Sequence, residues 1–309
     1  MIKTREKIPL KEYTTFKIGG PARYFFVAKN KEDLKNAILW AKKKKLSFFI
    51  LGGGSNVLFS DKGFNGLVIK LQNTQYEIRN TNVIAGAGVP LQKLVLEAVK
   101  KGLSGLENLV GIPGTLGGAI WGNAGAFGRE IGDLVEEVKV LDVGGSKLEV
   151  KKLKKEDCKF GYRNSIFKRR KNWIILEATL KLEKGNKKEI EEKIKEILKL
   201  RNEKQPLEFP SAGSVFKNVP IEKVPKKIQE KFKEKIKNGF LPAGVLIEAV
   251  GLKGFQIGGA KISEKHANFI VNTGEAKARD VLELIELIKK RVKKKFKIEL
   301  KEEIVLVLS

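Results

Sequence analysis

Between residues 111 and 128 the chain reads Gly111-Ile112-Pro113-Gly114-Thr115-Leu116-Gly117-Gly118-Ala119 and, shortly after, Gly122-Asn123-Ala124-Gly125-Ala126-Phe127-Gly128. Residues this small build no core of their own. Glycine has no side chain to bury and loses more backbone freedom on folding than any other residue. Tight loops in a β-rich domain would not need so many in succession, whereas backbone packed against something flat and polar would. An earlier loop, Leu51-Gly52-Gly53-Gly54-Ser55-Asn56-Val57, follows an apolar run at 47–51 that reads as a strand. Its glycines let successive N–H groups turn toward one point, a nest that suits a phosphate. A dinucleotide laid along both loops would account for the two together.

Two familiar phosphate sites fail on spacing. A Rossmann fingerprint requires Gly-x-Gly-x-x-Gly opening a helix. Here Gly52 and Gly54 are followed by Val57 at the third glycine position, and the chain runs on to Gly63 and Gly66. A phosphate loop of the Walker type ends in Gly-Lys-Ser/Thr, which does not occur in this sequence.

Around these loops the pattern is mixed. Asn30 is placed to cap a helix whose apolar face carries Leu34, Ala37, Ile38 and Ala41. Strands are predicted at 66–71, 82–86, 135–143 and 174–182, with Gly144-Gly145 as a hairpin turn between Val143 and Lys147. Pro90 opens a helix running to about residue 101, and no regular element is expected over 102–132. A charged helix over 187–204 shows Ile190, Ile194, Ile197 and Leu198 on one face and ends before Pro206. The last helix has Val281, Leu284, Ile285, Ile288 and Val292 at helical spacing, and 303–308 reads as a closing strand. The fold class is therefore α+β.

Composition removes several chemistries. With one cysteine, Cys158, and one histidine, His266, the chain has no internal disulfide and no usual zinc ligand set. No metal is expected. No run approaches the ~20 apolar residues of a membrane span, and the polar start lacks a signal-peptide core. A cytoplasmic location, with no membrane partner, is expected. The net charge is +26, from 62 Lys+Arg against 36 Asp+Glu. The lysines are spread along helices and turns, so solvated faces are expected, not a nucleic-acid surface. Abundant Lys and Glu also fit a thermophile's composition.

The glycine loops resemble the FAD domain of the vanillyl-alcohol oxidase type. The chain as a whole resembles the UDP-N-acetylenolpyruvoylglucosamine reductase family. The resembling blocks run end to end: Thr14-Thr15-Phe16-Lys17-Ile18-Gly19-Gly20-Pro21-Ala22, the two glycine loops, Gly161-Tyr162-Arg163-Asn164-Ser165, Ser211-Ala212-Gly213-Ser214-Val215-Phe216-Lys217-Asn218, Gly258-Gly259-Ala260, His266-Ala267-Asn268-Phe269-Ile270-Val271-Asn272 and Glu299-Leu300-Lys301-Glu302-Glu303. The resemblance implies two FAD-binding subdomains, 1–72 and 73–204, and a C-terminal α/β substrate lobe, 205–309. It implies noncovalent FAD held by Gly52, Gly53, Gly54, Ser55, Asn56, Ile112, Pro113, Gly114, Gly117, Gly118, Asn123, Ala124 and Gly125. It also implies NADPH as hydride donor and UDP-N-acetylglucosamine enolpyruvate as acceptor, in a monomer.

By the same resemblance Arg163 is the fixed cation for the substrate's carboxylate. Guanidinium stays charged and binds a carboxylate through two parallel bonds. Ser214 matches the family's proton donor and Glu303 its catalytic carboxylate. Strand alternation places Glu303 on the face of Glu299, Val305 and Val307. Tyr162, Lys217, Asn218 and His266 match substrate contacts. By themselves these would be a surface arginine, a turn hydroxyl, a solvated strand end and a partly buried histidine. Glu302 stands where the family usually has proline, and Val219 separates Asn218 from Pro220. No tyrosine follows Tyr162, which fits the shorter class lacking a tyrosine-bearing loop. Another FAD oxidase of the same superfamily is the nearest alternative. A basic RNA- or membrane-binding protein would need aromatic residues interleaved with Lys and Arg on one face, and the aromatics here are scattered through apolar segments.

Overall fold

The computed structural model describes residues 2–145 and 147–308. The chain clusters into two compact units: residues up to 8 with 22–53 and 65–201, and residues 9–21 and 54–64 with those from 202 onward.

The first unit is built on two larger sheets. One has four strands in the order Arg5–Pro9, Pro21–Ala28, Phe64–Leu71, Phe48–Leu51. Its last two strands run parallel, Phe48 opposite Leu67 and Leu51 opposite Lys70. A parallel pair needs a crossover. The sheet is also packed by the Lys31–Lys43 helix, whose Asn30 side chain accepts from the Asp33 N–H at 2.8 Å. Leu34, Ala37, Ile38 and Ala41 are all buried beneath it, as the helical period required. The other sheet is antiparallel, in the order Glu149–Lys154, Val135–Asp142, Trp173–Lys181, Asn82–Gly86, Tyr76–Arg79. Both sheets and the Leu91–Lys100 helix bury into one core.

Two expectations for this unit need correction. Residues 102–132 are not devoid of regular structure: Leu116–Gly122 is a helix, with short strand pairs at Gly125–Ala126 and Arg129–Glu130. Glycine density hid the helix, because each glycine costs ~1 kcal/mol of helix propensity. Burial of Leu116, Ala119 and Ile120 along one face offsets that cost, and Thr115 caps the start. On the Lys187–Lys204 helix the buried face is Ile190, Ile194, Ile197 and Arg201, while Leu198 is 42% exposed. Leu198 falls one position outside the i, i+4, i+7, i+11 stripe.

The second unit has an antiparallel sheet in the order Ser211–Ser214, Phe269–Asn272, Ala260–Ile262, Gln256–Ile257. The Ala278–Phe296 helix buries Val281, Leu284, Ile285, Ile288 and Val292 in its core. Asp61 accepts from the N–H groups of Ala278 and Arg279 at 2.7 and 3.1 Å, satisfying donors that a helix start leaves open. Val57–Phe59 pairs in parallel with Val305–Val307. The closing strand is thus Val305–Val307, shorter than the expected 303–308. Among the described residues no helix is long and apolar enough to cross a membrane.

Candidate flavin and substrate site

In the first unit the Gly52–Gly53 part of the first glycine loop lies against Gly114 and Thr115 of the second. A methyl group on Gly53 would stand 2.5 Å from the Gly114 Cα, and one on Gly117 would stand 2.7 Å from the Ala87 Cβ. Only glycine permits that approach, so these loops pack backbone on backbone. The N–H groups of Gly53 and Gly114 find no acceptor among the described residues. A methyl on the exposed Gly118 would meet only the Thr115 Oγ1, at 3.7 Å. Open space over a glycine-built surface with unsatisfied N–H donors is what a diphosphate and a flat ring need. On this test the residues fit FAD.

Lys70 stabilises the loop from below. Its ammonium donates to the Gly52 carbonyl, and burial holds its pKa below the usual lysine range. Around the second loop, the Gly111 N–H donates to the Gln92 Oε1 at 2.8 Å and the Ile112 N–H to the Leu109 carbonyl at 3.2 Å.

Asn123 lies at the end of the Leu116–Gly122 helix with φ 47°, in the left-handed region. Its side chain is turned inward and 1% exposed for the residue as a whole. The Nδ2 donates to the Glu130 Oε2 at 2.6 Å and to the Gly161 carbonyl at 2.9 Å, while the Oδ1 accepts from the Gly132 N–H at 3.0 Å. Ala124 and Gly125 continue directly into a two-residue hairpin.

Arg163 sits at the tip of another hairpin. The N–H groups of Gly161 and Asn164 each donate to the other's carbonyl, at 3.1 and 2.9 Å, leaving Tyr162 and Arg163 as the turn. Arg163 has φ 51°, which costs a non-glycine residue about 1–2 kcal/mol. Its Nη2 donates to the Gly125 carbonyl at 2.7 Å and its Nη1 lies 3.4 Å from the Glu130 Oε1. The guanidinium also lies 5.1 Å from the centre of the Tyr162 ring. Burial raises the Glu130 carboxyl above the usual range, against the opposing pull of Arg163 and Asn123.

In the second unit Ser214 and Glu303 are held by one stretch of backbone. Ser214 pairs with Phe269 across an irregular register that Gly213, at φ 75°, makes possible. The Val215 N–H donates to the Asn268 carbonyl at 2.8 Å, and the Val215 carbonyl accepts from the Glu303 N–H at 2.7 Å. Phe216 bridges to Glu302, and the Lys217 N–H donates to the Lys301 carbonyl at 2.9 Å. Glu303 therefore takes its place from the Ser214–Lys217 stretch, not from alternation in a strand. Buried Asn268 locks this stretch with both ends of its amide, accepting from the Phe216 N–H at 3.0 Å and donating to its carbonyl at 2.8 Å.

Other expected residues have internal partners. The Asn56 side chain donates to the Glu303 carbonyl at 3.2 Å, and its own carbonyl accepts from the Val305 N–H at 3.0 Å. The Asn218 Oδ1 accepts from the Ala243 N–H at 3.2 Å. His266 packs edge-on against Phe269 at 4.9 Å, and its Nδ1 accepts from the Asn268 N–H at 3.2 Å. Burial lowers the His266 pKa. Thr15 of the first resembling block donates to the Ser211 carbonyl at 2.7 Å, and its N–H donates to the Gly54 carbonyl at 3.1 Å.

Lys70, Glu130 and Asn268 were not given roles from the sequence. Asn268 lay inside a resembling block and could have been found there. Glu130 falls two residues beyond the glycine loop, with nothing local to mark it. Cys158 is buried, with its thiol pushed up to about 12 mainly by desolvation. No group of three or more His, Cys, Asp or Glu side chains suited to a metal gathers among the described residues.

The comparisons agree over the whole chain. The FAD binding domain family matches residues 22–151, and the C-terminal domain of UDP-N-acetylenolpyruvoylglucosamine reductase matches 205–307. The UDP-N-acetylenolpyruvoylglucosamine reductase of Caldanaerobacter subterraneus subsp. tengcongensis is 47% identical over 97% of this chain and 92% of its own length. That of Caldicellulosiruptor bescii is 44% identical over 96% of this chain and 88% of its own. The crystal structure of the Thermus caldophilus reductase superposes with a TM-score of 0.78 at 36% identity, covering 99% of this chain and 100% of that one. The expected fold class, an α+β chain with an FAD-binding domain and a C-terminal lobe, agrees with these matches.

Proposed function

The chain belongs to the UDP-N-acetylenolpyruvoylglucosamine reductase family, and we propose that it reduces UDP-N-acetylglucosamine enolpyruvate to UDP-N-acetylmuramate with NADPH. The reading is carried by the joining of Ser214 and Glu303 through the 2.7 Å bond from the Glu303 N–H to the Val215 carbonyl. An acid and a carboxylate are thereby fixed on neighbouring backbone in a chain that also presents a strained, hydrogen-bonded arginine.

FAD, held by the glycine loops, would supply the hydride-transfer chemistry between NADPH and the terminal carbon of the enolpyruvyl double bond. The protein's own residues manage the charge that follows. Negative charge develops on the carbon beside the carboxylate. Arg163 pairs with that carboxylate, and its charge counts most where water is excluded. The Ser214 hydroxyl donates its proton to the charged carbon, completing the lactyl ether. A serine is a weak acid, but a carbanion is basic enough to accept from it when the two are held in line. Glu303 takes the part of the family's catalytic carboxylate. By the resemblance Lys217 and Asn218 contact the diphosphate or the nicotinamide nucleotide, and Tyr162 and His266 are further substrate contacts. On this reading 1–72 and 73–204 hold FAD noncovalently, 205–309 holds the sugar nucleotide, and the protein is a cytoplasmic monomer.

The test is the visible spectrum of purified protein under anaerobic conditions. Yellow protein should bleach with NADPH and recolour with the enolpyruvyl substrate. Bleaching followed by recolouring with oxygen alone would remove this substrate and favour an oxidase. Colourless protein that takes up no FAD would refute the whole reading.

A further inference from the structure

Two hairpins face each other in the first unit, and each has a left-handed tip. One joins Gly125–Ala126 to Arg129–Glu130, with Phe127 at φ 49° and Gly128 at φ 80°; positive φ at both turn residues is the requirement of a tight type I′ turn. The other carries Tyr162 and Arg163. Glu130 pairs with Gly125 across the first hairpin, and the Gly125 carbonyl accepts from the Arg163 Nη2 at 2.7 Å. The same Glu130 lies 3.4 Å from the Arg163 Nη1 and takes a 2.6 Å bond from Asn123, which in turn holds the Gly161 carbonyl. The Arg163 and Glu130 side chains are 21% and 31% exposed, too enclosed for a pair that merely decorates the surface.

From this arrangement we infer that Glu130 is a positioning residue for Arg163. With the Gly125 carbonyl it fixes the plane of the guanidinium, and through Asn123 it ties that plane to the hairpin bearing Arg163. A freely rotating arginine would have to lose its rotamer freedom each time it met a carboxylate, whereas a fixed one is ready beforehand. The inference rests on the proposed reaction, in which Arg163 meets the substrate's carboxylate. Glu130 would act on that step and not on hydride transfer from NADPH.

The experiment separates the two half-reactions in stopped flow, using holoenzyme with Glu130→Gln and Glu130→Asp. Glu130→Gln should keep its FAD and bleach with NADPH at the wild-type rate. Its reoxidation by UDP-N-acetylglucosamine enolpyruvate should slow by about 10- to 100-fold, and binding of that substrate to the oxidised enzyme, read from the flavin spectrum, should weaken. Glu130→Asp should recover part of the loss. In an Arg163→Ala background Glu130→Gln should add nothing, because it acts through the arginine. Wild-type reoxidation in Glu130→Gln would overturn the inference. So would equal loss of both half-reactions with loss of flavin, the mark of a purely structural residue. If reduced wild-type enzyme itself fails to recolour with the substrate, the proposed reaction falls and the inference falls with it.

Discussion

Replacing Arg163 by glycine and, separately, by alanine separates backbone strain from side-chain chemistry. Arg163 holds φ 51° at the tip of its hairpin. Both variants lose the same side-chain contacts, to Glu130, to the Gly125 carbonyl and to the Tyr162 ring, so those losses cancel when the variants are compared with each other. What remains is the left-handed backbone. Alanine, like arginine, carries the Cβ penalty of about 1–2 kcal/mol there. Glycine escapes it but gives up about 0.5–1 kcal/mol through the greater freedom of its unfolded chain. Arg163→Gly should therefore be the more stable by about 0.5–1 kcal/mol, or roughly 1–4 °C in Tm. The assay is thermal denaturation of both variants at one FAD concentration, since bound flavin itself raises Tm. Both should bleach with NADPH and both should be slow to recolour with the enolpyruvyl substrate. Equal stability, or a more stable alanine variant, would refute the claim that this turn is strained. Strain persists where the surrounding structure enforces it and commonly marks functional positions. Loss of recolouring with a gain in stability over the alanine variant would be that pattern measured directly.

Gly118→Ala should stabilise the flavin-free protein by up to ~1 kcal/mol through helix propensity, since the methyl group meets only the Thr115 Oγ1 at 3.7 Å. The same methyl should weaken FAD binding in a fluorescence titration, and unchanged affinity would move the flavin away from this loop. His266 is held neutral by burial, and protonating its Nδ1 would break the bond it accepts from the Asn268 N–H. Its pKa is lowered in the fold, so its contribution to stability is present above the unfolded value of about 6.5 and is lost as pH falls through the folded one. Denaturant titrations from pH 7.5 to 5.5 should show this slope in wild type and not in His266→Gln. Cys158, buried with its thiol pushed up to about 12, should not react with a thiol reagent until the protein unfolds, because the thiolate is the reactive form. Fast labelling of native protein would contradict its placement.

Much of the fold was legible because its signals are local. The helix after Asn30 announced itself through a cap and a 3.6-residue apolar period, and the Ala278–Phe296 helix did so through period alone. The glycine loops were visible as composition, and the Rossmann and Walker alternatives fell on spacing. The resembling blocks carried Arg163, Ser214 and Glu303, but only as positions in a motif. Tertiary structure decided the rest, for reasons that no local window contains. Leu116–Gly122 is a helix because Leu116, Ala119 and Ile120 find a core, which outweighs three glycines. Leu198 stays exposed while Arg201 is buried, because the core covers one stripe and not its neighbour. Residues 9–21 and 54–64 join the C-terminal half through bonds such as Asp61 to Ala278 and strand pairing of Val57–Phe59 with Val305–Val307. Glu130 was silent in the sequence because its meaning lies in the hairpin it faces, more than thirty residues away along the chain. A sequence specifies which residues are small, charged or periodic. Which of them meet is settled by the burial of two cores, and the orientation of Arg163 is a product of that packing.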